Sequence, residues 1–445
     1  MMKKKSIYLL LFATAWFVAC DSNTETTREI SSDATVSSLT FMANDSFPGL
    51  SKAVFTIEDR IDTGVIQNID SLLFGTRVDS VIPNFRFHHT PALAVVYTPF
   101  DTTMLSGTDT INFTKNPTRL QVIASDQKTE KWYNIYVNVH QVDPYLFVWE
   151  QTANHIYNAE GAEQKAVNLN GTLCLFVNNG FANTLYTSRN AKSWTQQTVT
   201  GLPQNCQVRN ILQAGERLYY GEETTLYTSQ NGQDWKSAPC DLSGNTFRNF
   251  LFDFNDSVWA IVENAEGAIR LANSKDGMEW NILQELPKDF PVADYAALSF
   301  NSATNRRRAM IVGGFAQDGT SLNTRWNVEY SPDKGYRWKN FSIEQPDFRS
   351  LTGVSVVWYN DRFYMFGGVD ADNRIGEYAM LESLDEGLNW QVPDSASNLL
   401  PETYTPRSKT SVVIGADNAI YIVGGQSRTE IYSDAFRGKL NSIDW

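Results

Sequence analysis

At 445 residues, with 42% apolar and 20% charged side chains, the chain exceeds one ordinary domain and has the composition of a folded protein rather than a disordered one. Its formal charge of −13 argues against nucleic acid as a partner, because phosphate binding rests on a basic surface that releases counterions. The same acidity argues against attachment to anionic lipid through surface charge alone.

The chain begins with Lys3, Lys4 and Lys5, followed by an uncharged stretch from Ser6 to Ala19. That stretch falls short of the ~20 apolar residues of a membrane-spanning helix and has the layout of an export leader. It ends in Phe17-Val18-Ala19-Cys20, which resembles a bacterial lipobox with Phe17 where Leu is usual. The resemblance implies cleavage before Cys20 and lipid on its sulfur, hence membrane attachment at residue 20 and residence in the outer membrane or cell envelope. Asp21 and Glu25 are too sparse an acidic run to argue for surface export, so a periplasmic and a surface-exposed face both stay open. Residues 21–33, polar and rich in Ser and Thr, read as a tether. Beyond the leader three cysteines remain, Cys174, Cys206 and Cys240. An odd number leaves at least one free thiol or an intermolecular bond, and Cys206 and Cys240 either pair or stand as separate buried thiols. No CxxC or Cys/His spacing points to zinc.

From 34 to 142 the pattern is β, with strands expected at Val36–Met42, Ala53–Ile57, Leu93–Tyr97, Leu120–Ile123 and Tyr133–Val139. Short strands at this spacing, joined by turns such as Ser106-Gly107, suggest an immunoglobulin-like β-sandwich. His88-His89 has no further ligand nearby and reads as a solvated pair. Asp143-Pro144 marks the boundary, since the residue before proline is pushed out of helix.

From 143 to 445 the chain repeats. Leu185-Tyr186-Thr187-Ser188 before Trp194 recurs as Leu226-Tyr227-Thr228-Ser229-Gln230-Asn231-Gly232 before Trp235, and as Leu271 to Gly277 before Trp280. Ser331 to Trp338 and Ser383 to Trp390 have the fuller form S-x-D-x-G-x-x-W; the first copy lacks the Asp and Gly altogether. This motif resembles the Asp box of sialidase-like propellers. In the last three repeats a glycine pair ends an apolar strand, at Gly313-Gly314, Gly367-Gly368 and Gly424-Gly425, and this resembles the Kelch repeat. Within the third repeat Asn249–Phe254, Val258–Val262, Ile269–Ala272 and Trp280–Leu283 read as four consecutive strands. Tryptophans at 149, 194, 235, 280, 338, 390 and 445 bound six intervals, which suggests a six-bladed Kelch-like β-propeller. The last copy reaches its third strand near Ile431–Leu440, so its outer strand is expected from Tyr145–Glu150. The whole is all-β, and its two-domain order resembles an uncharacterised family of Bacteroidetes lipoproteins.

The motifs also bound the chemistry. Kelch-type copper oxidases need two histidines in the propeller, and only His155 lies there. Sialidases carry Phe-Arg-Ile-Pro, of which Phe348-Arg349 matches two letters. No cofactor is implied. Propeller geometry places ligands at the channel or on loops such as Phe315–Leu322, Val369–Arg374 and Asn398–Arg407. Arg209, Arg248, Tyr295 and Arg349, at the mouths of the innermost strands, are the candidates to meet an acidic or sugar ligand. Arg407 stands where Kelch repeats keep a structural arginine. The expectation is an envelope binding or scaffolding module for a glycan or protein; the alternative is a glycoside hydrolase or lyase using channel carboxylates.

Overall fold

A computed structural model describes residues 30–143, 146–302, 304, 306–342, 351–372, 374–375, 379–393 and 400–441. Cys20 with its leader, and Arg349, lie outside the described residues. The chain forms two compact units, divided between Gln141 and Val142.

The first unit has a six-stranded sheet and a two-stranded ribbon. Across the sheet run Phe55–Glu58, Thr63–Asn68, Glu130–Tyr136, Thr118–Ile123, Leu93–Tyr97 and Thr102–Met104, and the ribbon pairs Val36–Phe41 with Pro83–Phe87. Period-two alternation decides which side chains enter the core. Leu120 and Val122 of one strand join Tyr133 and Ile135 of the next, and the ribbon adds Val36, Leu39 and Phe41 to the same cluster. The Tyr133 hydroxyl, inside this core, accepts the Val36 N–H at 3.1 Å. Three strands escape the sequence reading: Thr63–Asn68, Pro83–Phe87 and Thr102–Met104. The first of these pairs in parallel with Glu130–Tyr136, a long-range partner that local pattern does not signal.

The second unit contains six antiparallel sheets among the described residues, five with four strands and the fifth with three. Their innermost strands are Glu163–Leu169, Leu212–Ala214, Asn245–Asp253, Ala296–Asn301, Ser355–Tyr359 and Ser411–Ile414. Each innermost strand contacts the next, and the sixth contacts the first, so the ring closes. The third sheet is built from Asn245–Asp253, Val258–Asn264, Ile269–Ser274 and Asn281–Glu285. In the sixth sheet the outer strand is Phe147–Ala153, paired antiparallel with Ile431–Leu440. That pairing covers a sheet edge with the beginning of the same unit. Trp149 lies opposite Gly438, whose missing Cβ leaves room for the indole.

Two sequence signatures have visible physical jobs. In the third sheet's outer turn the Ser274 hydroxyl accepts the Gly277 N–H at 2.8 Å, and the Asp276 carboxylate accepts Met278 and Glu279 N–H at 2.8 and 3.0 Å. Trp280 then donates its indole N–H to the Gly277 carbonyl at 2.9 Å. These bonds hold the Asp276 carboxyl below the usual carboxylate range, the backbone N–H groups being the main cause. The first copy forms the same turn with Asn190 as acceptor and Ala191 at the left-handed position, φ 56°. The fourth copy departs from its sequence twin: Thr324–Ser331 and Gly335–Ser342 meet in a tight hairpin that carries Trp338 within a strand.

The glycine pairs allow close approach between neighbouring sheets. Gly314, φ 92°, donates its N–H to the Leu351 carbonyl at 2.9 Å, and a Cβ there would sit 2.7 Å from the Ala293 carbonyl oxygen. Cys174, Cys206 and Cys240 are buried and free, so Cys206 and Cys240 do not pair. Burial pushes the Cys206 thiol up to about 12 and the Cys174 thiol up to about 11.

Candidate functional site

All six innermost strands line one channel of about 530 Å³. Parallel descent of these strands puts their first residues at one mouth. Three positions there have left-handed backbone: Asp294 (φ 48°), Gly353 (φ 67°) and Lys409 (φ 54°). The Gly353 N–H donates to the Asp294 carbonyl, and the Lys409 N–H to the Gly353 carbonyl, each at 2.7 Å. The Lys409 carbonyl in turn accepts Gln164 Nε2 and an Arg209 guanidinium N–H, each at 3.1 Å. A belt of hydrogen bonds therefore joins the fourth, fifth, sixth and first sheets.

Arg209 crosses the mouth to complete this belt. It comes from a short 3-10 turn, Val208–Asn210, ahead of the second sheet's innermost strand, and its guanidinium lies 3.8 Å from the Asp294 carboxylate. The other Asp294 oxygen is 3.1 Å from the Lys409 ammonium. Glu163 faces the same charges; burial pushes its carboxyl above the usual range, while Arg209 and Lys409 pull it back. Arg209 thus meets an acidic group, but the group is the protein's own.

Tyr295 also lines the channel, with its hydroxyl donating to the Phe250 carbonyl at 3.2 Å. Burial raises its phenol well above the ordinary value. Arg248 is absent from the channel lining; its side chain, 39% exposed, pairs with Glu263 at 2.5 Å. Arg407 is buried, and its guanidinium binds the Asp434 carboxylate, the Thr405 and Gly424 carbonyls and the face of Tyr432. The structure therefore brings Arg209 and Tyr295 to one channel and leaves Arg248 outside it.

Lys165, which the sequence reading passed over, supplies what those residues do not. It projects into the channel from Glu163–Leu169 and has no hydrogen bond or ion pair among the described residues. Burial pushes its ammonium down to about 8, and Arg209 adds like-charge repulsion. Deeper along the same strand, the Asn168 amide N–H donates to the Ile414 carbonyl at 2.7 Å while its Oδ1 is buried without a partner. The signal available in sequence was a Glu and a Lys two positions apart in a strand that begins a repeat, where an apolar edge is expected. Among the described residues no group of three or more His, Cys, Asp or Glu side chains is placed to hold a metal ion.

Residues 143–445 match the model of the DUF6242 beta propeller domain, and residues 22–137 match that of the N-terminal domain of the same domain of unknown function. The chain belongs to the DUF6242 family. The DUF6242 propeller is similar in fold to solved structures. One is YjhT, 13% identical with a TM-score of 0.43, covering 64% of this chain and 94% of that chain. Another is a Penicillium chrysogenum alpha-L-arabinanase complexed with arabinobiose, 10% identical, TM-score 0.43, covering 67% and 99%. A streptogramin B lyase is 11% identical with a TM-score of 0.34, covering 67% and 100%. At such scores the likeness carries nothing about activity. No curated protein matches the chain.

Proposed function

We propose that this chain is a cell-envelope lipoprotein anchored through Cys20, with an Ig-like sandwich as spacer and a six-bladed propeller of Kelch and Asp-box type that binds a glycan or an envelope protein. The propeller channel is its binding site, and the ligand presents an anionic group there. Lys165 carries this reading. Every other charged side chain around the channel mouth has an opposite charge facing it, whereas Lys165 is turned inward with a cation as its charged neighbour. Lys165 is half-buried and has no ion pair among the described residues, so its ammonium is incompletely solvated, and a carboxylate or sulfate entering the channel offsets that cost.

The test is an array of acidic and neutral oligosaccharides probed with the purified mature protein, run beside a chromatographic assay for cleaved products. Retention of at least one acidic sugar without turnover, lost in Lys165→Met, is the expected result. Retention of every array sugar by Lys165→Met at the wild-type level overturns the channel site. A second reading rests on Glu163, a carboxyl raised by burial and close enough to Asp294 for their charges to interact. Such a pair is what a glycoside hydrolase arranges as acid and partner. Product formation that disappears in Glu163→Gln would replace binding by hydrolysis.

A further inference from the structure

The fourth sheet carries a cluster of charge at odds with an acidic chain. Arg306, Arg307 and Arg308 enter the strand Arg307–Val312, and Lys334 and Arg337 come from the hairpin between Thr324–Ser331 and Gly335–Ser342. All five line one cleft of about 390 Å³, together with Glu329 and Tyr330. Two of the five are neutralised within the protein. Arg307 lies 3.1 Å from Asp253, and Arg308 lies 3.2 Å from Glu329 and 2.5 Å from Glu386. Arg306, Lys334 and Arg337 are exposed and form no salt bridge among the described residues, although Arg337 is near enough to Asp333 to help hold that carboxyl low. In a chain of net charge −13, three cations outside any salt bridge among the described residues, gathered around one cleft, are not the average surface.

We propose that this cleft binds an acidic polysaccharide, a polyuronate or sulfated glycan, independently of the channel. Guanidinium groups fit carboxylate and sulfate oxygens with two parallel hydrogen bonds, which a chain of anionic sugars offers at each residue. Tyr330 supplies the second element. It is 42% exposed, lines the cleft and is braced by Tyr336 with ring centroids 5.0 Å apart. A fixed aromatic face beside the arginines seats the apolar edge of a pyranose ring. Tyr336 is itself held, its hydroxyl accepting from Asn255 Nδ2 at 3.1 Å. An anionic bilayer is the poorer occupant, because interfacial attachment needs apolar side chains to insert and Tyr330 is the exposed ring the cleft offers.

The experiment measures binding of the mature protein to polygalacturonate oligomers by calorimetry at several salt concentrations. Dextran and equimolar phosphatidylcholine–phosphatidylglycerol vesicles are run beside them. Wild type is expected to bind polygalacturonate with a log–log salt slope of about −2 to −3 and to leave dextran alone. The exposed triple variant Arg306→Ala/Lys334→Ala/Arg337→Ala is expected to lose about tenfold or more. A control removing Lys52, Lys115 and Lys128 changes net charge equally and keeps affinity. Lys165→Met is measured beside it: a loss in the triple variant that Lys165→Met does not share belongs to this cleft, and a loss in Lys165→Met alone assigns the site to the channel and overturns the proposal. Wild-type affinity in the triple variant overturns the proposal, as does binding to vesicles but not to polygalacturonate.

Discussion

Replacing Arg407 by Met tests whether the repeat arginine is a strut of the sixth sheet. Its side chain is 1% exposed and its partner Asp434 is 11% exposed, so the pair is shielded from water. The guanidinium carbon stands 3.8 Å from the Tyr432 ring centroid and 4.6 Å from that of Tyr404. Methionine fills much of the same volume but leaves the Asp434 carboxylate buried without its cation. Removing one partner of such a pair costs about 3–5 kcal/mol. For a domain of this size each kcal/mol moves the midpoint by about 2 °C, so the propeller transition should fall by about 6–10 °C in a circular-dichroism melt. A cycle with Asp434→Asn isolates the pair: the double variant should be more stable than the two single losses added, by up to about 3 kcal/mol. Gly425 belongs to the same node, because a Cβ there would meet Arg407 Cδ at 2.9 Å at a backbone φ of 111°. A midpoint within 2 °C of wild type for Arg407→Met, or strict additivity in the cycle, would refute the strut.

Four further outcomes follow from the structure. Because burial lowers the Lys165 ammonium to about 8 in the folded chain against the ordinary 10.5 when unfolded, the unfolded state holds the extra proton between those values. Stability contributed by this group therefore rises as pH climbs from about 8 to 10.5 and is lost as pH falls through 8, a slope that Lys165→Met should remove from a urea titration series. Ser274→Ala strands the buried Gly277 N–H and should cost about 1–3 kcal/mol by urea unfolding. Asp276→Asn should leave stability unchanged, since Asn231 already accepts Gln233 and Asp234 N–H at 2.9 Å in the second copy; a loss as large as that of Ser274→Ala would show that the charge, not the acceptor, matters. Finally, Cys174, Cys206 and Cys240 are buried and free, with burial raising each thiol, so a thiol-reactive chromophore at pH 8 should label none of these three rapidly in native protein and all three in denaturant; a failure to label any of the three under denaturing, non-reducing conditions would reveal a bond the fold does not contain.

The ring was legible because its determinants are local and repeated. Where the turn forms, its acceptor, its left-handed residue and its Trp lie within seven or eight positions, as Ser274, Asp276, Gly277 and Trp280 do, so a linear pattern is a sufficient record of the contacts. The unpaired third strand of the last repeat likewise pointed to a partner at the start of the unit, and Ile431–Leu440 pairs with Phe147–Ala153. The parallel partner of Glu130–Tyr136 left no such trace, because Thr63–Asn68 lies more than sixty residues away and its pattern is half polar.

The channel shows the same division more sharply. Arg209 was legible as a cation at a mouth, but what it faces is decided by Asp294 and Lys409, which arrive from the fourth and sixth sheets. No spacing in the chain encodes that encounter. Once Arg209, Asp294 and Lys409 satisfy one another, the arginine stops being the spare charge, and that role passes to Lys165, two residues along the strand from Glu163. On the proposed reading, recognition at the channel depends on a residue whose importance is a remainder: it is what is left uncompensated after the belt has closed. The same subtraction in the fourth sheet removes Arg307 and Arg308 and leaves Arg306, Lys334 and Arg337. In both proposals the charge offered to a partner is the one the fold does not use.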